Sequence, residues 1–476
     1  MIILFIKGGE LMIKDKITTY LAILGGGPAG YVAAIRAAQL GADVVVIEEK
    51  ELGGVCLNRG CIPTKALLKT SEISSSIKKS KEFGITSSIS DINWNVSNER
   101  KNRVVKNLNM GLEHLLSSKQ IKVLHGRGTI INSKNIIVSL DGLETEVNCE
   151  KMLITAGSST LLPNIKGLEL NNVITSDKAL CLKAIPKSLT IIGAGAIGLE
   201  FATMFNSLGA KVTVIEMKDR ILPYEDMEIS NELLKIMKRK GIIFKLSSSV
   251  KEFRKSGDNA DIVYYEKDKE NTVSSDTILV AVGRKLNSSS EELRNLHLAI
   301  ENGAIKVNDN METNVKGVYA AGDIIGGKLL AHLSFMDGKA AAENALGLNT
   351  TINYNAVPSC VYTNPEVASV GINEDEAKAL GLNYKIGRFN FRNNGRALTL
   401  GEREGFVKII VDKDNVIIGG QILGANASEL ISEITLAITL KAKANILADM
   451  IHPHPSLSES VWEACADAIG RSIHKS

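Results

Sequence analysis

Two cysteines five residues apart, Cys56 and Cys61, stand in the run GGVCLNRGCIPTK that ends at Lys65. A close thiol pair can do two-electron disulfide chemistry, because a thiolate attacks a disulfide sulfur and displaces its partner. In an ideal helix, residues so spaced have Cα atoms roughly 8 Å apart, and a disulfide needs under about 7 Å. Joining them therefore requires an irregular backbone, which Gly60 and Pro63 allow. Pro63 suits the first turn of a helix, and Cys61 would then lie at the positive end of that helix, where a thiolate is favoured. Two buried free cysteines, or half of a zinc site, are the alternatives. Zinc needs further ligands at matching spacing, and Cys149, Cys181, Cys360 and Cys465 are isolated from one another.

A proton acceptor for thiol chemistry is available near the C-terminus, where residues 452–459 read HPHPSLSE. A histidine can take a proton from a thiol, and a nearby carboxylate can hold the imidazole in the right tautomer. His454 with Glu459 fits those roles, and His452 competes for the first. Either histidine could equally be structural. Nearly 400 residues separate this segment from Cys56, so the fold, or a second chain, must bring the two together.

Two repeats of one unit surround the cysteine pair. Leu21-Ala22-Ile23-Leu24 reads as a buried strand; Gly25, Gly27 and Gly30 form G-x-G-x-x-G, an Ala-rich helical stretch runs to Gly41, and Asp43–Ile47 is a second strand ending at Glu48. The pattern recurs as Leu189–Ile192, then Gly193, Gly195 and Gly198, a helix to Gly209, and Lys211–Ile215 ending at Glu216. Eighteen residues separate the last glycine from the acid in both copies. Such a βαβ unit lets backbone approach a pyrophosphate at a helix N-terminus while the acid binds a ribose diol. Two dinucleotides are expected, and Glu216, which would repel a 2′-phosphate, favours NAD over NADP, with Lys218 and Arg220 as the opposing signal.

The scale of the chain agrees with this. Its 476 residues, 44% apolar and 23% charged, suit about three domains. With 41 glycines, 9 prolines and 4% aromatics, the composition favours α/β layers. The net charge of +3 is scattered, which argues against nucleic acid as a partner. No apolar run approaches the ~20 residues that span a bilayer, so no membrane partner is expected. Few cysteines fit a reducing compartment, the cytoplasm. Residues 1–11, MIILFIKGGEL, lack the features of a signal peptide. Lys7–Glu10 can be encoded by codons resembling a ribosome-binding site, so translation starting at Met12 would leave that extension out of the native protein.

GGVCLNRGCIPTK resembles the redox-active signature of the pyridine nucleotide disulfide oxidoreductases, with the wording CLN and CIPTK nearest to the dihydrolipoamide dehydrogenases. Further similar segments are Leu199-Glu200 after the second fingerprint, Ala281–Arg284, Val318–Asp323, Leu329–His332, Val357-Pro358 through Tyr362–Glu366, and HPHPSLSE. The resemblance covers about residues 18 to 470. It implies an α/β fold with two Rossmann-like dinucleotide-binding domains and a C-terminal α+β dimerisation domain. FAD would be held by Gly25, Gly27, Gly30 and Glu48, with Gly128, Ser158, Asp323, Leu330, Ala331 and His332 completing its site and Lys65, paired with Glu200, beside the flavin. NAD would take Gly193, Gly195, Gly198, Glu216 and Gly283. Cys56 and Cys61 would form the redox disulfide, with His454 as base and Glu459 as its orienting acid, shared across a homodimer. Without the resemblance, Asp323 reads as a turn residue, Lys65 as a solvated lysine and Glu200 as a helix-surface acid.

The implied domains are 12–158 for FAD, 159–285 for NAD, 286–350 completing the FAD site and 351–476 for the dimer interface, where 405–411 alternates as a strand and a helix begins at Glu429. The implied activity is oxidation of dihydrolipoamide with reduction of NAD⁺. With no lipoyl-domain segment ahead of Met12, the substrate would arrive on the lipoyl domain of an acyltransferase or on a glycine-cleavage H-type carrier protein. The parent system would be a 2-oxo acid dehydrogenase, acetoin or glycine-cleavage complex. Rival readings are an NADPH-linked disulfide reductase of the glutathione or mercuric type and a catalytically silent flavoprotein that serves as a docking subunit. The loop Ile154-Thr155-Ala156-Gly157-Ser158, the run Arg284-Lys285-Leu286 and Pro453 depart from the family's usual wording.

Overall fold

In a computed structural model, residues 13–475 are described, and the expectation about residues 1–11 lies outside them. The chain divides into two compact units, each assembled from separated stretches of sequence. The first gathers residues up to 63, 100–160 and 284–352; the second gathers 64–99, 161–283 and 353 onward.

The first unit is built on the strand Ile13–Leu24, which pairs in parallel with Val44–Glu48 on one side and Leu143–Ile154 on the other. Lys122–His125 and Val318–Ala320 extend the parallel portion, and the hairpin strands Asn135–Leu140 and Arg127–Asn132 add antiparallel edges. The apolar run Leu21–Leu24 marks only the last third of the first strand. Residues 13–19 join the same strand through pairing with 144–149, which their mixture of polar and apolar types does not reveal. The helix Pro28–Gln39 buries Ala29, Ala33, Ala34 and Ala37. Its small side chains admit the helix Ala331–Ala345 so closely that a Cβ on Gly338 would lie 2.1 Å from the Ala29 carbonyl oxygen.

The second unit repeats this plan. Ser188–Ile192 lies between Lys211–Ile215 and Thr277–Val280 in a five-stranded sheet whose pairings are all parallel. A three-stranded antiparallel sheet follows the helix Met227–Arg239. Beyond residue 353, five antiparallel strands are ordered Ser359–Val361, Glu366–Gly371, Ile417–Gly424, Phe406–Asp412 and Tyr384–Asn390. The helices Ala427–Thr439 and Glu459–Ala468 pack into the same apolar cluster.

The strand expected to alternate over 405–411 does not do so in its surroundings: Phe406 through Val411 are all buried. Lys408 among them is 1% exposed, its ammonium held by Asp226 at 3.0 Å and Glu374 at 2.6 Å. Those carboxylates satisfy a charge that would otherwise be prohibitive to bury. The helix placed at Glu429 begins one half-turn earlier, at Ala427. The architecture is α/β, with two Rossmann-like dinucleotide-binding layers and a C-terminal α+β portion.

Candidate active site

In the first unit the turn after Leu24 has Gly25 at φ +111°, and a Cβ there would lie 2.5 Å from the Thr155 carbonyl oxygen. A Cβ on Gly30 would lie 1.9 Å from the oxygen of Gly25, so helix and strand approach as only glycine allows. Gly27 caps the helix Pro28–Gln39 with extended backbone, and a Cβ there would meet nothing nearer than Gly54 Cα at 3.9 Å. Glu48 ends the next strand; its Oε2 accepts from Gly26 N at 2.6 Å and its Oε1 from Lys50 N at 2.8 Å. A helix N-terminus behind a glycine that carries no side chain, with a carboxylate at the strand end, fits a pyrophosphate and its ribose.

Other residues expected around this turn also lie in the first unit. Ser158 Oγ donates to Asp323 Oδ2 and accepts from Arg284 Nε at 2.7 Å. Arg284, with no role legible beyond its place after Gly283, also donates to the Ser158 carbonyl at 2.6 Å. Leu330 caps the helix Ala331–Ala345, so Ala331 and His332 occupy its first turn. Gly128 sits within the strand Arg127–Asn132, where a Cβ would strike Leu24 and Ile47. Thr155, in a loop that departs from the family wording, donates its hydroxyl to the Gly25 carbonyl at 2.8 Å.

Cys56 and Cys61 are disulfide-bonded, with Cα atoms 4.7 Å apart. The required irregularity is a break at Gly60, where the short helix Gly54–Arg59 ends and the helix Cys61–Lys79 begins. Cys61 is therefore the first residue of a 19-residue helix with Pro63 in its first turn, where the helix dipole favours an anionic sulfur. Asn58 anchors the short helix: its Nδ2 donates to Leu52 O and Gly54 O, and its Oδ1 accepts from Asn109. An isolated asparagine carries no signal of that role. Cys149, Cys181, Cys360 and Cys465 are free, and no cluster of three metal-ligating groups exists among the described residues.

The second unit holds the second fingerprint in matching form. Gly193 has φ +105° with a Cβ position 2.4 Å from Ala281 O, a Cβ on Gly198 would lie 2.1 Å from Gly193 O, and around Gly195 nothing lies within 4 Å. Glu216 accepts from Ala194 N at 2.7 Å and Lys218 N at 2.8 Å. Gly283 follows the strand Thr277–Val280 at φ +135°, facing open space. These residues fit a second dinucleotide.

Lys65 and Glu200 are not the solvated pair that their types alone suggest. Lys65 Nζ lies 3.0 and 2.9 Å from the two oxygens of Glu200 and 4.3 Å from the centre of the Tyr362 ring. The Tyr362 amide donates to Glu200 at 3.0 Å. Burial pushes the Tyr362 phenol up to about 12, so it is neutral at physiological pH.

His454 is 80% exposed, and its Nδ1 lies 2.8 Å from Glu459 Oε1. Glu459 Oε2 accepts from Ser456 N at 2.8 Å, and Asn394 donates to Ser456 O. Burial disfavours the Glu459 anion, but the bonds from His454 and the Ser456 amide outweigh it and hold the carboxyl below its ordinary value. With Nδ1 donating to a carboxylate, the neutral form of the exposed His454 ring carries its lone pair on Nε2.

A dinucleotide turn in each unit, a disulfide at a helix N-terminus and an exposed histidine–carboxylate dyad define a nucleotide-linked oxidoreductase of thiols and disulfides. The chain belongs to the pyridine nucleotide-disulphide oxidoreductase family, whose model matches residues 19–345, while the family's dimerisation domain matches residues 357–465. A dihydrolipoyl dehydrogenase of Bacillus subtilis (strain 168) is 42% identical over 470 residues, covering 95% of this chain and 98% of its own. The enzyme of the same name from Geobacillus stearothermophilus is 38% identical, covering 96% and 98%. Among solved structures, LpdA from Mycobacterium tuberculosis superposes with a TM-score of 0.88 at 28% identity, covering 94% of this chain and 99% of its own. The protein is a flavoprotein disulfide oxidoreductase with FAD and NAD as cofactors, and its dimerisation domain makes it a homodimer. No helix among the described residues is long and apolar enough to cross a membrane.

Proposed function

We propose that this protein oxidises dihydrolipoamide to lipoamide and reduces NAD⁺ to NADH. It would do so as the dehydrogenase component of a 2-oxo acid dehydrogenase, acetoin or glycine-cleavage system. The observation that carries the reading is the Cys56–Cys61 disulfide at the N-terminus of the helix Cys61–Lys79. The substrate arrives on the lipoyl domain of an acyltransferase or on an H-type carrier protein, and the four free cysteines suit the reducing cytoplasm.

In this reading Nε2 of His454 takes the proton of one substrate thiol, across the homodimer, and Glu459 stabilises the imidazolium. The thiolate attacks Cys56 Sγ; the Cys56–Cys61 bond breaks, and Cys61 leaves as a thiolate favoured by its helix N-terminus. The second substrate thiol attacks the substrate sulfur of the mixed disulfide, the bond to Cys56 breaks, and lipoamide departs with a new sulfur–sulfur bond. His454 passes its proton to Cys56 and the proton of the second substrate thiol leaves to solvent, so the cysteine pair, now one thiol and one thiolate, holds the two electrons. Bound FAD supplies the relay by which that pair reaches NAD⁺. Gly25, Gly27, Gly30, Glu48, Gly128, Ser158, Asp323, Leu330, Ala331 and His332 would hold FAD, with Lys65 and Glu200 beside it. Gly193, Gly195, Gly198, Glu216 and Gly283 would hold NAD. NADP is disfavoured by Glu216, and Arg220 is committed to Pro223 O at 2.8 Å and Asp375 at 3.3 Å.

The test is anaerobic reduction of NAD⁺ by dihydrolipoamide on the purified flavoprotein beside Cys56→Ser. Turnover that the substitution abolishes is expected. Absence of turnover in the wild type, with FAD bound and the disulfide intact, would direct the search to other disulfides with NADH or NADPH as donor.

A further inference from the structure

His452, two residues before the exposed His454, has no part in the steps above, yet its side chain is only 3% exposed. Its Nδ1 lies 3.1 Å from the Met450 carbonyl oxygen and its Nε2 lies 2.9 Å from Glu433 Oε1. A backbone carbonyl and a carboxylate both accept and neither donates. A neutral imidazole has one N–H, so it would aim a lone pair at one of these oxygens; only the doubly protonated ring satisfies both. The ring is also stacked on Trp462, with centroids 6.4 Å apart and planes at 23°, and Trp462 Nε1 donates to Ala448 O at 2.7 Å.

These contacts fix the chain on the N-terminal side of His454. On the other side Glu459 holds Ser456 N, and Asn394 holds Ser456 O and Ser460 Oγ. His454 thus stands exposed between two anchored points. We propose that His452 is a positioning residue, held as an imidazolium between Glu433 and the Met450 carbonyl, that fixes the segment 450–456 so that the Nε2 of His454 meets the substrate thiol. This rests on the reading of His454 as the base.

The other charged or titratable groups around the ring are few. Glu433 comes from the helix Ala427–Thr439, Glu459 acts at longer range from the helix Glu459–Ala468, and the edge of Trp462 carries His474, which is paired with Glu463. The bond to Glu433 raises the His452 value above that of a free histidine, burial lowers it less, and the Met450 carbonyl and Glu459 add to the rise. These contacts favour the charged ring, which loses its proton only above the ordinary value of about 6.5. At that point one oxygen faces a lone pair and the anchor fails.

The experiment uses the full-length holoenzyme in two measurements. Nitrogen-15 NMR of labelled histidine, with His452 assigned from the spectrum of His452→Phe, is expected to show both its ring nitrogens protonated at pH 7, and one of them losing its proton at that pH in Glu433→Gln. A single protonated nitrogen in the wild type would overturn the imidazolium. The second measurement follows dihydrolipoamide oxidation against pH. His452→Phe keeps a ring against Trp462 and removes both bonds; kcat should fall roughly 10- to 100-fold with KM for dihydrolipoamide nearly unchanged. The alkaline limb that the wild type shows as His452 deprotonates should be missing. NADH oxidation by an artificial electron acceptor, which needs no thiol base, should stay at the wild-type rate and show that fold and flavin are intact. A His452→Phe enzyme with wild-type kcat and an unchanged pH profile would overturn the positioning role. The NMR reading needs no substrate, so it decides the charge of His452 even if the wild type fails to oxidise dihydrolipoamide.

Discussion

The two glycine turns share backbone chemistry and differ in what closes over them. Gly25 and Gly193 adopt φ of +111° and +105°, Gly30 and Gly198 pack against the carbonyl of that first glycine, and Glu48 and Glu216 accept from equivalent amides. In the first turn, Gly53 N donates to Gly26 O at 2.8 Å, and a Cβ on Gly54 would lie 2.8 Å from Gly27 Cα. The segment that closes this turn runs directly into the Cys56–Cys61 helix. In the second turn, Leu222 N makes the equivalent bond to Ala194 O at 2.9 Å, but nothing lies within 4 Å of a Cβ on Gly195. A turn covered by the disulfide-bearing segment suits a group that stays bound, and an open one suits a group that exchanges each turnover. The same unit thus suits a prosthetic group in one place and a co-substrate in the other, the difference lying in some five residues downstream of the acid.

Valine at the third glycine of each turn should separate the two roles most sharply. Gly30→Val is expected to yield protein without yellow colour and with stability reduced by about 3 kcal/mol or more, since neither backbone nor carbonyl can yield. Gly198→Val should be purified yellow, with its NAD⁺ KM raised roughly 100-fold. Flavin absorbance per chain and steady-state kinetics check both, and equal flavin loss in the two variants would break the distinction. A smaller effect is expected from removing the acids. Glu216→Ala should raise the NAD⁺ KM about tenfold and narrow the preference over NADP⁺, while Glu48→Ala should retain flavin through the closed first turn, read by dialysis against flavin-free buffer.

The smallest effect concerns acid stability. Glu459 ionises below its ordinary carboxyl value in the folded chain. Its contribution is present above about pH 4.3 and is lost as the pH falls through its folded value. Glu459→Gln should flatten that part of the stability curve by under about 1 kcal/mol while lowering thiol-dependent turnover far more. Urea denaturation at pH 3 to 7 would check the first effect, and its size relative to the glycine variants would show that the dyad is not what stabilises the fold.

Residues whose role follows from local backbone were legible in sequence. Gly25, Gly193 and their partners declare themselves by spacing because strand, turn and helix are contiguous, and Gly60 and Pro63 announced the break that brings Cys56 and Cys61 together. Residues whose role depends on distant partners were not legible. Arg284 meets Ser158, Asn58 meets Asn109 and Asn394 meets Ser456 across long stretches of chain. Burial of the strand Phe406–Asp412 was hidden for the same reason: Lys408 reads as a solvent-facing residue until Asp226 and Glu374 are seen around it.

Sequence alone determined the two dinucleotide units, the close thiol pair and the HPHPSLSE segment, because each is encoded in one contiguous stretch of backbone. Residue types alone left His452 and His454 as competitors, since both are histidines before proline, and only the family resemblance favoured His454. Tertiary structure separated them: Glu433 and Trp462 enclose the first, and Glu459 leaves the second exposed with a free Nε2. The state of an imidazole is set by which acceptors surround its two nitrogens, and those acceptors come from helices the local sequence does not contain.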